Sequence, residues 1–116
     1  MDNKVVITAF SGENLLSSRE VSVDDYYDGQ HPEFDDRDYI SEHGIDRAEI
    51  VIDAYGEHKE YTNHYDGYGR LCRSESNENG KLSEDLIEYR EGRIVYEEHI
   101  NYDENGIPHS EKKIYD

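Results

Sequence analysis

Acidic and aromatic residues are interleaved in one segment of this sequence, residues 24–38, and together they favour contact with a positively charged surface. Seven of its fifteen residues are acidic. Carboxylates attract a basic partner at long range, while aromatic side chains supply much of the binding energy at protein interfaces. The sequence therefore predicts a partner-binding segment. Its predicted steering residues are Asp24, Asp25, Asp28, Glu33, Asp35, Asp36 and Asp38, and its predicted aromatic anchors are Tyr26, Tyr27 and Phe34.

Cys72 is the only cysteine of the chain and its one candidate thiol nucleophile. Arg70 and Arg73 lie close to it in the sequence, and neighbouring cations lower the pKa of a thiol. A half-buried strand residue is the favoured interpretation of Cys72. No GxSxG, Ser/His/Asp, P-loop or GxGxxG pattern stands out elsewhere. We therefore predict a protein that is not an enzyme and has no catalytic or cofactor-binding residues.

Metal-ligating residue types are plentiful but poorly spaced. The histidines, at positions 31, 43, 58, 64, 99 and 109, form no HxxxH or HExxH motif. The acidic stretches 24–29 and 103–106 offer oxygen ligands for a hard cation, but they lack the glutamate that completes a calcium-binding loop at its twelfth position. We predict solvated turns and no metal site. Weak metal binding and a high-salt habitat stay open as alternative causes of the acidity.

The net charge of the chain argues against several classes of function. Lys and Arg total 12 and Asp and Glu total 29, so the formal net charge is −17. Direct binding to nucleic acid or to an anionic membrane is disfavoured, because both need cations on the protein. No apolar run approaches the roughly 18–20 residues that span a bilayer, and no basic-then-apolar leader is present. With a single cysteine, the expected compartment is the cytoplasm.

High net charge with a mean hydropathy of −1.08 is also typical of disordered chains. Three features favour a folded protein instead. The chain has eleven tyrosines and only two prolines, and short β-type apolar runs recur at residues 5–7, 50–52 and 94–96.

Glycines recur at positions 44, 56, 69, 80, 92 and 106, with gaps of 11 to 14 residues. Glycine tolerates a positive φ, so this spacing predicts regular turns between strands of roughly 7–9 residues. Asn79-Gly80 and Asn105-Gly106 are strong hairpin signals. The predicted strands cover residues 47–54, 57–65, 70–76, 81–89, 93–102 and 107–115, and they form an antiparallel meander.

Residues 1–46 differ from this meander. Strands over residues 4–10 and 18–23 predict an N-terminal hairpin, 24–38 an acidic loop, and 38–43 a short helix or connector. Residues 1–46 carry 3 basic and 12 acidic residues, a net charge of −9, against −8 for residues 47–116. The predicted fold is thus one all-β domain over residues 1–116, with about six hairpin-linked strands, an N-terminal hairpin, an acidic loop and at most one short helix. Few aliphatic residues remain for a core, so a homodimer or a partner is expected to cover one face.

Residues 65–71 resemble the YD repeat of RHS-type proteins, whose motif is Tyr-Asp, two residues, then Gly-Arg-Leu. The segment reads Tyr65-Asp66-Gly67-Tyr68-Gly69-Arg70-Leu71. The stretch 102–107 repeats its first half, with Ile107 in place of the arginine, and 89–94 keeps the tyrosine, glycine and arginine. The resemblance covers residues 65–107. In that family the repeats build large β-cages, but six strands cannot close a cage. The resemblance therefore implies local hairpin architecture and little about function.

Size, acidity and the lack of catalytic motifs resemble, in type, phage anti-defence proteins such as anti-CRISPR proteins and DNA mimics. We therefore predict a small inhibitor that binds a basic nucleic-acid enzyme or defence complex by nucleic-acid mimicry and steric blockade, in the cytoplasm of a bacterial host if it is phage-encoded. The alternatives are an immunity protein or antitoxin that neutralises a nuclease toxin, and a hairpin-repeat module for structure or self-association.

Overall fold

The computed structural model describes residues 3–115, which form one antiparallel sheet and three short helices. The strands are β1 (Lys4–Ser11), β2 (Asn14–Val21), β3 (Arg47–Ala54), β4 (Glu57–Tyr65), β5 (Leu71–Glu78), β6 (Lys81–Arg90), β7 (Arg93–Tyr102) and β8 (Pro108–Ile114). The helices α1 (Val23–Asp28), α2 (Pro32–Asp35) and α3 (Arg37–Glu42) all lie between β2 and β3 in the chain. Among the described residues, no helix has the length and apolarity needed to cross a membrane.

The sheet has eight strands and not about six, in the order β2-β1-β3-β4-β5-β6-β7-β8. All six strands predicted for the meander are present, and the two strands of the N-terminal hairpin extend the same sheet. Because β1 pairs with both β2 and β3, the chain must cross over β1 between these two strands. The three helices make that crossover. Met1, Asp2 and Asp116, which belong to the predicted domain 1–116, lie outside the described residues.

Three of the hairpins use two-residue turns in which both residues have a positive φ. These are Tyr55-Gly56, Asn79-Gly80 and Glu91-Gly92. Such turns match the right-handed twist of the flanking strands. Non-glycine residues occupy the first position in all three, as Asn79 with φ 57° illustrates. The glycine spacing therefore predicts the positions of the strands after residue 46 correctly.

The other two meander turns share a different geometry built on an aspartate. The Asp66 carboxylate accepts hydrogen bonds from the backbone N–H groups of Tyr68 and Arg70, at 2.9 and 3.0 Å. The Asp103 carboxylate accepts the same pair of bonds from Asn105 and Ile107. The YD-like segments 65–71 and 102–107 thus fold as equivalent turns. Asn105-Gly106 is part of the longer turn over 102–107 and does not form a two-residue hairpin turn.

The predicted acidic loop over 24–38 is wrong, because most of this stretch is helical. The Ser22 hydroxyl accepts from the N–H of Asp25 and caps α1. Pro32 occupies the first turn of α2, where its missing N–H costs nothing. The Asp36 carboxylate accepts from the N–H groups of Asp38 and Tyr39 and caps α3. The helix or connector expected over 38–43 is confirmed as α3.

The core lies between the helices and the face of β1, β3 and the end of β4. Alternating residues of β1 and β3 pair directly across the strands on this face, with Val5 opposite Ile52 and Ile7 opposite Ile50. Two buried clusters result, one around Ile7 and one around Ile40, and Phe34 packs against both. No residue of β5–β8 is buried. This half of the sheet therefore depends on cross-strand pairs and on its turns.

Candidate functional site

The candidate site is the acidic helical layer, which we define as residues 22–43. It contains eight acidic residues and one basic residue, Arg37. Val23 of α1 and Ile40 of α3 are buried against the sheet. The predicted partner-binding segment is therefore part of the folded structure and is attached to the core at both ends.

A buried histidine organises the first half of the layer. His31 is 4% exposed. Its ring stacks on those of Tyr26 and Phe34, with centroids 5.5 Å from each, and the Tyr26 and Phe34 rings are themselves 6.2 Å apart, so the three rings form one cluster. Its Nδ1 faces the Arg19 guanidinium of β2 at 2.7 Å, and its Nε2 faces the Tyr26 carbonyl at 2.9 Å. The ring thus joins α1, α2 and the edge strand β2.

The same guanidinium forms a salt bridge with Glu33, whose side chain is 9% exposed. Arg19 therefore contacts two buried side chains, those of Glu33 in α2 and of His31, the N-cap residue of α2. A carboxylate at this depth is tolerated only when it is paired, because removal from water strongly penalises an isolated charge.

Three hydrogen bonds attach the second half of the layer to the β4–β5 end of the sheet. The Tyr65 hydroxyl donates to the Phe34 carbonyl at 2.8 Å. The Arg37 Nε donates to the Tyr68 carbonyl, and the Ser41 hydroxyl donates to the Gly67 carbonyl. Burial raises the pKa of Tyr65 to about 12, so this hydroxyl remains a donor throughout the neutral range.

The structure divides the predicted partner-binding residues into two groups. Glu33 is buried, and Tyr26 and Phe34 are half-buried against the core, so these three hold the layer in place. The others are exposed: Asp24, Asp25, Tyr27, Asp28, Asp35, Asp36 and Asp38. Tyr27 is the only predicted anchor with a largely free ring, at 68% exposure. Sequence reasoning missed Glu42, which is also exposed on α3, and His31; Glu42 follows the same acidic pattern and could have been included.

Many carboxylates of the sheet form salt bridges with a cation, whereas the exposed carboxylates of the layer form none with the part of the chain that the structure describes. On the sheet, salt bridges join Arg73 to Glu84 and Arg70 to Asp66, among others. Within residues 3–115, the only salt bridge that involves the layer is the internal Arg19–Glu33 pair. The outer surface of the layer therefore presents negative charge that no cation of these residues pairs with.

Histidine–carboxylate pairs join neighbouring strands of the sheet, one on β6–β7 and another on β3–β4. His99 lies opposite Asp85 in the β6–β7 register, with its Nδ1 2.5 Å from the carboxylate. His58 lies opposite Asp53 and also contacts Glu60. Hydrogen bonds to these carboxylates raise the pKa of His99 and of His58. These histidines carry more positive charge near neutrality than an isolated imidazole would.

The Asp85–His99 pair has one feature of a catalytic centre, because a carboxylate orients an imidazole. Ser74 lies on the other side of Asp85 in the cross-strand register. The order along the row is therefore serine, aspartate, histidine, and the Ser74 hydroxyl donates to the Asn63 side chain at 3.0 Å rather than to the imidazole. A histidine base must reach the nucleophile itself, so this row does not activate Ser74.

Cys72 is a half-buried strand residue, as predicted. Its thiol donates to the His64 carbonyl at 3.4 Å. Burial and the nearby Asp66 raise its pKa, so the expectation that arginines lower it is wrong. Among the described residues, no three His, Cys, Asp or Glu side chains converge as a metal site would require.

No protein-family model, curated protein or solved structure is significantly similar to this chain. The function is therefore inferred from the site alone.

Proposed function

We propose that this protein is a small acidic inhibitor that binds a basic nucleic-acid-binding surface through its helical layer and blocks it. The observation that carries the proposal is the arrangement of the layer. Its carboxylates face solvent from short helices that are packed on the core, and no cation of the described chain neutralises them. A groove that binds phosphates offers the complementary charge.

Packing makes the layer more effective than a mobile acidic loop. A disordered segment loses conformational freedom when it binds, which weakens the affinity it can reach. Here the caps at Ser22 and Asp36 and the stacked ring of His31 fix the backbone before any partner arrives. The spacing of the carboxylates is therefore set in the free protein, as the phosphates of a nucleic acid are set by its own backbone.

The charge of the whole molecule adds to the attraction. A net charge of −17 repels free nucleic acid and attracts basic protein surfaces, and such fields raise association rates by roughly 10- to 1000-fold. Tyr27, exposed beside Asp28, supplies an aromatic contact at the same surface. The partner class is a nucleic-acid enzyme or defence complex, with action in the cytoplasm as an anti-CRISPR-like or other anti-defence protein.

The test is capture followed by competition. The tagged protein is incubated with nuclease-treated extract of the cell in which it acts, and bound proteins are identified. The expected result is a basic nucleic-acid-binding protein whose DNA or RNA is displaced by this protein in a filter-binding assay. A partner that retains its nucleic acid in saturating inhibitor would contradict blockade of the groove. A secreted nuclease toxin as the captured partner would assign the same surface to an immunity protein or antitoxin.

A further inference from the structure

His31 is a buried titratable group inside the layer that the proposed binding does not use. Both of its ring nitrogens have fixed roles. A guanidinium carries only donors and stays charged, so Nδ1 must accept from Arg19. A carbonyl carries only acceptors, so Nε2–H must donate to Tyr26. We call the layer closed when these two hydrogen bonds are formed. In the closed layer the imidazole is therefore neutral, with its proton on Nε2.

A second proton on this ring has no place in the closed geometry. It would have to sit on Nδ1, which faces the positively charged Arg19 at 2.7 Å. The protonated ring would lose the bond from Arg19 and place two cations in contact. The ring and the Arg19 guanidinium must therefore separate when the ring becomes charged.

The other charged groups around His31 do not accommodate the proton in place. Glu33 of α2 is already paired with the same guanidinium. The Asp35 carboxylate accepts from the backbone N–H of His31, at 3.0 Å, rather than from its ring. From α1, Tyr26 contributes its ring and its carbonyl. Neither carboxylate therefore bonds to the ring, and the observed contacts fit only the neutral imidazole.

We propose that protonation of His31 opens the acidic helical layer in mildly acidic solution. Histidine is the side chain that changes charge between about pH 5 and 8. The second proton removes the acceptor that Arg19 needs, so the bond that joins β2 to the layer is lost when the ring becomes charged. Opening breaks the Arg19–His31 bond and frees the rings of Tyr26 and Phe34. The effect on partner binding rests on the proposed function, whereas the opening itself does not.

Amide hydrogen exchange followed by NMR tests the opening in the free protein. Between about pH 7.5 and 5.5, after correction for intrinsic rates, protection over residues 23–35 is expected to fall at least about tenfold relative to β3 and β4. In His31→Gln the fall should disappear, because glutamine can accept from Arg19 and donate to Tyr26 at every pH. His43→Gln, an exposed histidine that follows α3, is the matched control and should keep the fall.

Direct observation of the His31 ring keeps the proposal testable if His31→Gln does not fold. Nitrogen shifts of the wild-type ring should show the Nε2–H tautomer at about pH 7.5, and its protonation should coincide with the loss of protection in 23–35. A ring that protonates while protection in the layer stays unchanged would overturn the proposal. An opening layer whose partner binds equally well at both pH values would leave the inference intact and count against the proposed function.

Discussion

The Tyr65 hydroxyl of β4 donates a 2.8 Å hydrogen bond to the carbonyl of Phe34, the residue that packs against both core clusters. This bond joins the sheet to the middle of the acidic layer. The hydroxyl also accepts from the Asn63 side chain. Two polar groups therefore lose their partner together if the hydroxyl is removed.

Tyr65→Phe should lower the free energy of unfolding by about 1–2 kcal/mol, the usual effect of leaving a buried carbonyl unpaired. Because the pKa of Tyr65 is raised to about 12, the contribution is complete below about pH 10 and is lost as the pH rises towards 12. Urea unfolding of both proteins at about pH 8 and at about pH 11 to 12 measures this. The difference between wild type and variant should shrink at the higher pH; Tyr68→Phe, on an exposed turn ring, is the control and should show no difference.

Arg19 and Glu33 should behave as a coupled pair. Arg19→Met leaves a buried carboxylate without its cation, which typically costs about 3–5 kcal/mol. Arg19→Met with Glu33→Met removes both charges, so the double variant should be more stable than the Arg19→Met single variant. A double-mutant cycle by urea unfolding checks this. If the two single effects simply add in the double variant, the pair does not hold the layer.

Gly69 and Gly106 occupy equivalent positions in the two aspartate-based turns, with φ values of 79° and 76°. A Cβ at Gly69 would lie 2.3 Å from the Arg37 carbonyl of α3, whereas a Cβ at Gly106 would meet nothing within 4 Å. Gly106→Ala should therefore cost only the backbone strain, about 1–2 kcal/mol. Gly69→Ala adds a backbone clash with the helical layer.

Thermal or urea unfolding of the two glycine variants separates the cost of the backbone strain from the cost of the clash with the helical layer. We expect Gly69→Ala to be clearly less stable than Gly106→Ala and to lose amide protection in α3. Equal stabilities would mean that the β4–β5 turn does not support α3.

The strands follow from the sequence far better than the layer does, and the reason is physical. Turn residues act locally, so glycine spacing and Asn79-Gly80 indicate where strands end without knowledge of the rest of the fold. Helices as short as α2 have little intrinsic stability, and α2, which has no side-chain cap, forms because Phe34 packs on the core. Ser22 and Asp36 are recognisable as caps in the sequence, but only packing on the sheet makes them effective.

The outward carboxylates could be predicted from composition alone, since acidic residues at this density must mostly face water. The inward turn of Glu33 could not. It depends on Arg19, fourteen residues earlier on an edge strand, and on a crossover that brings α2 over that strand. The same crossover buries His31.

Two histidines of the sheet, His58 and His99, should stabilise the fold most when they are charged. Bonds to Asp53 and Glu60 raise the pKa of His58, and the bond to Asp85 raises that of His99. A raised pKa means that the stabilising charge is present below the ordinary histidine range and is lost as the pH rises through the folded-state value. Two-dimensional NMR should place both titration midpoints above about 6.5; midpoints at or below that value would show that the pairs are absent in solution.

The exposed carboxylates of the layer should control the rate of partner association. The variant Asp24→Asn, Asp25→Asn, Asp28→Asn, Asp38→Asn should slow association at low salt by roughly tenfold or more, with a smaller change in dissociation. Glu13→Gln, Glu88→Gln, Glu104→Gln, Glu111→Gln changes the net charge equally at exposed positions outside the layer. Stopped-flow association at several salt concentrations compares the two. If both variants lose the same rate, total charge rather than the layer steers the encounter, because only a local surface can distinguish equal changes in charge.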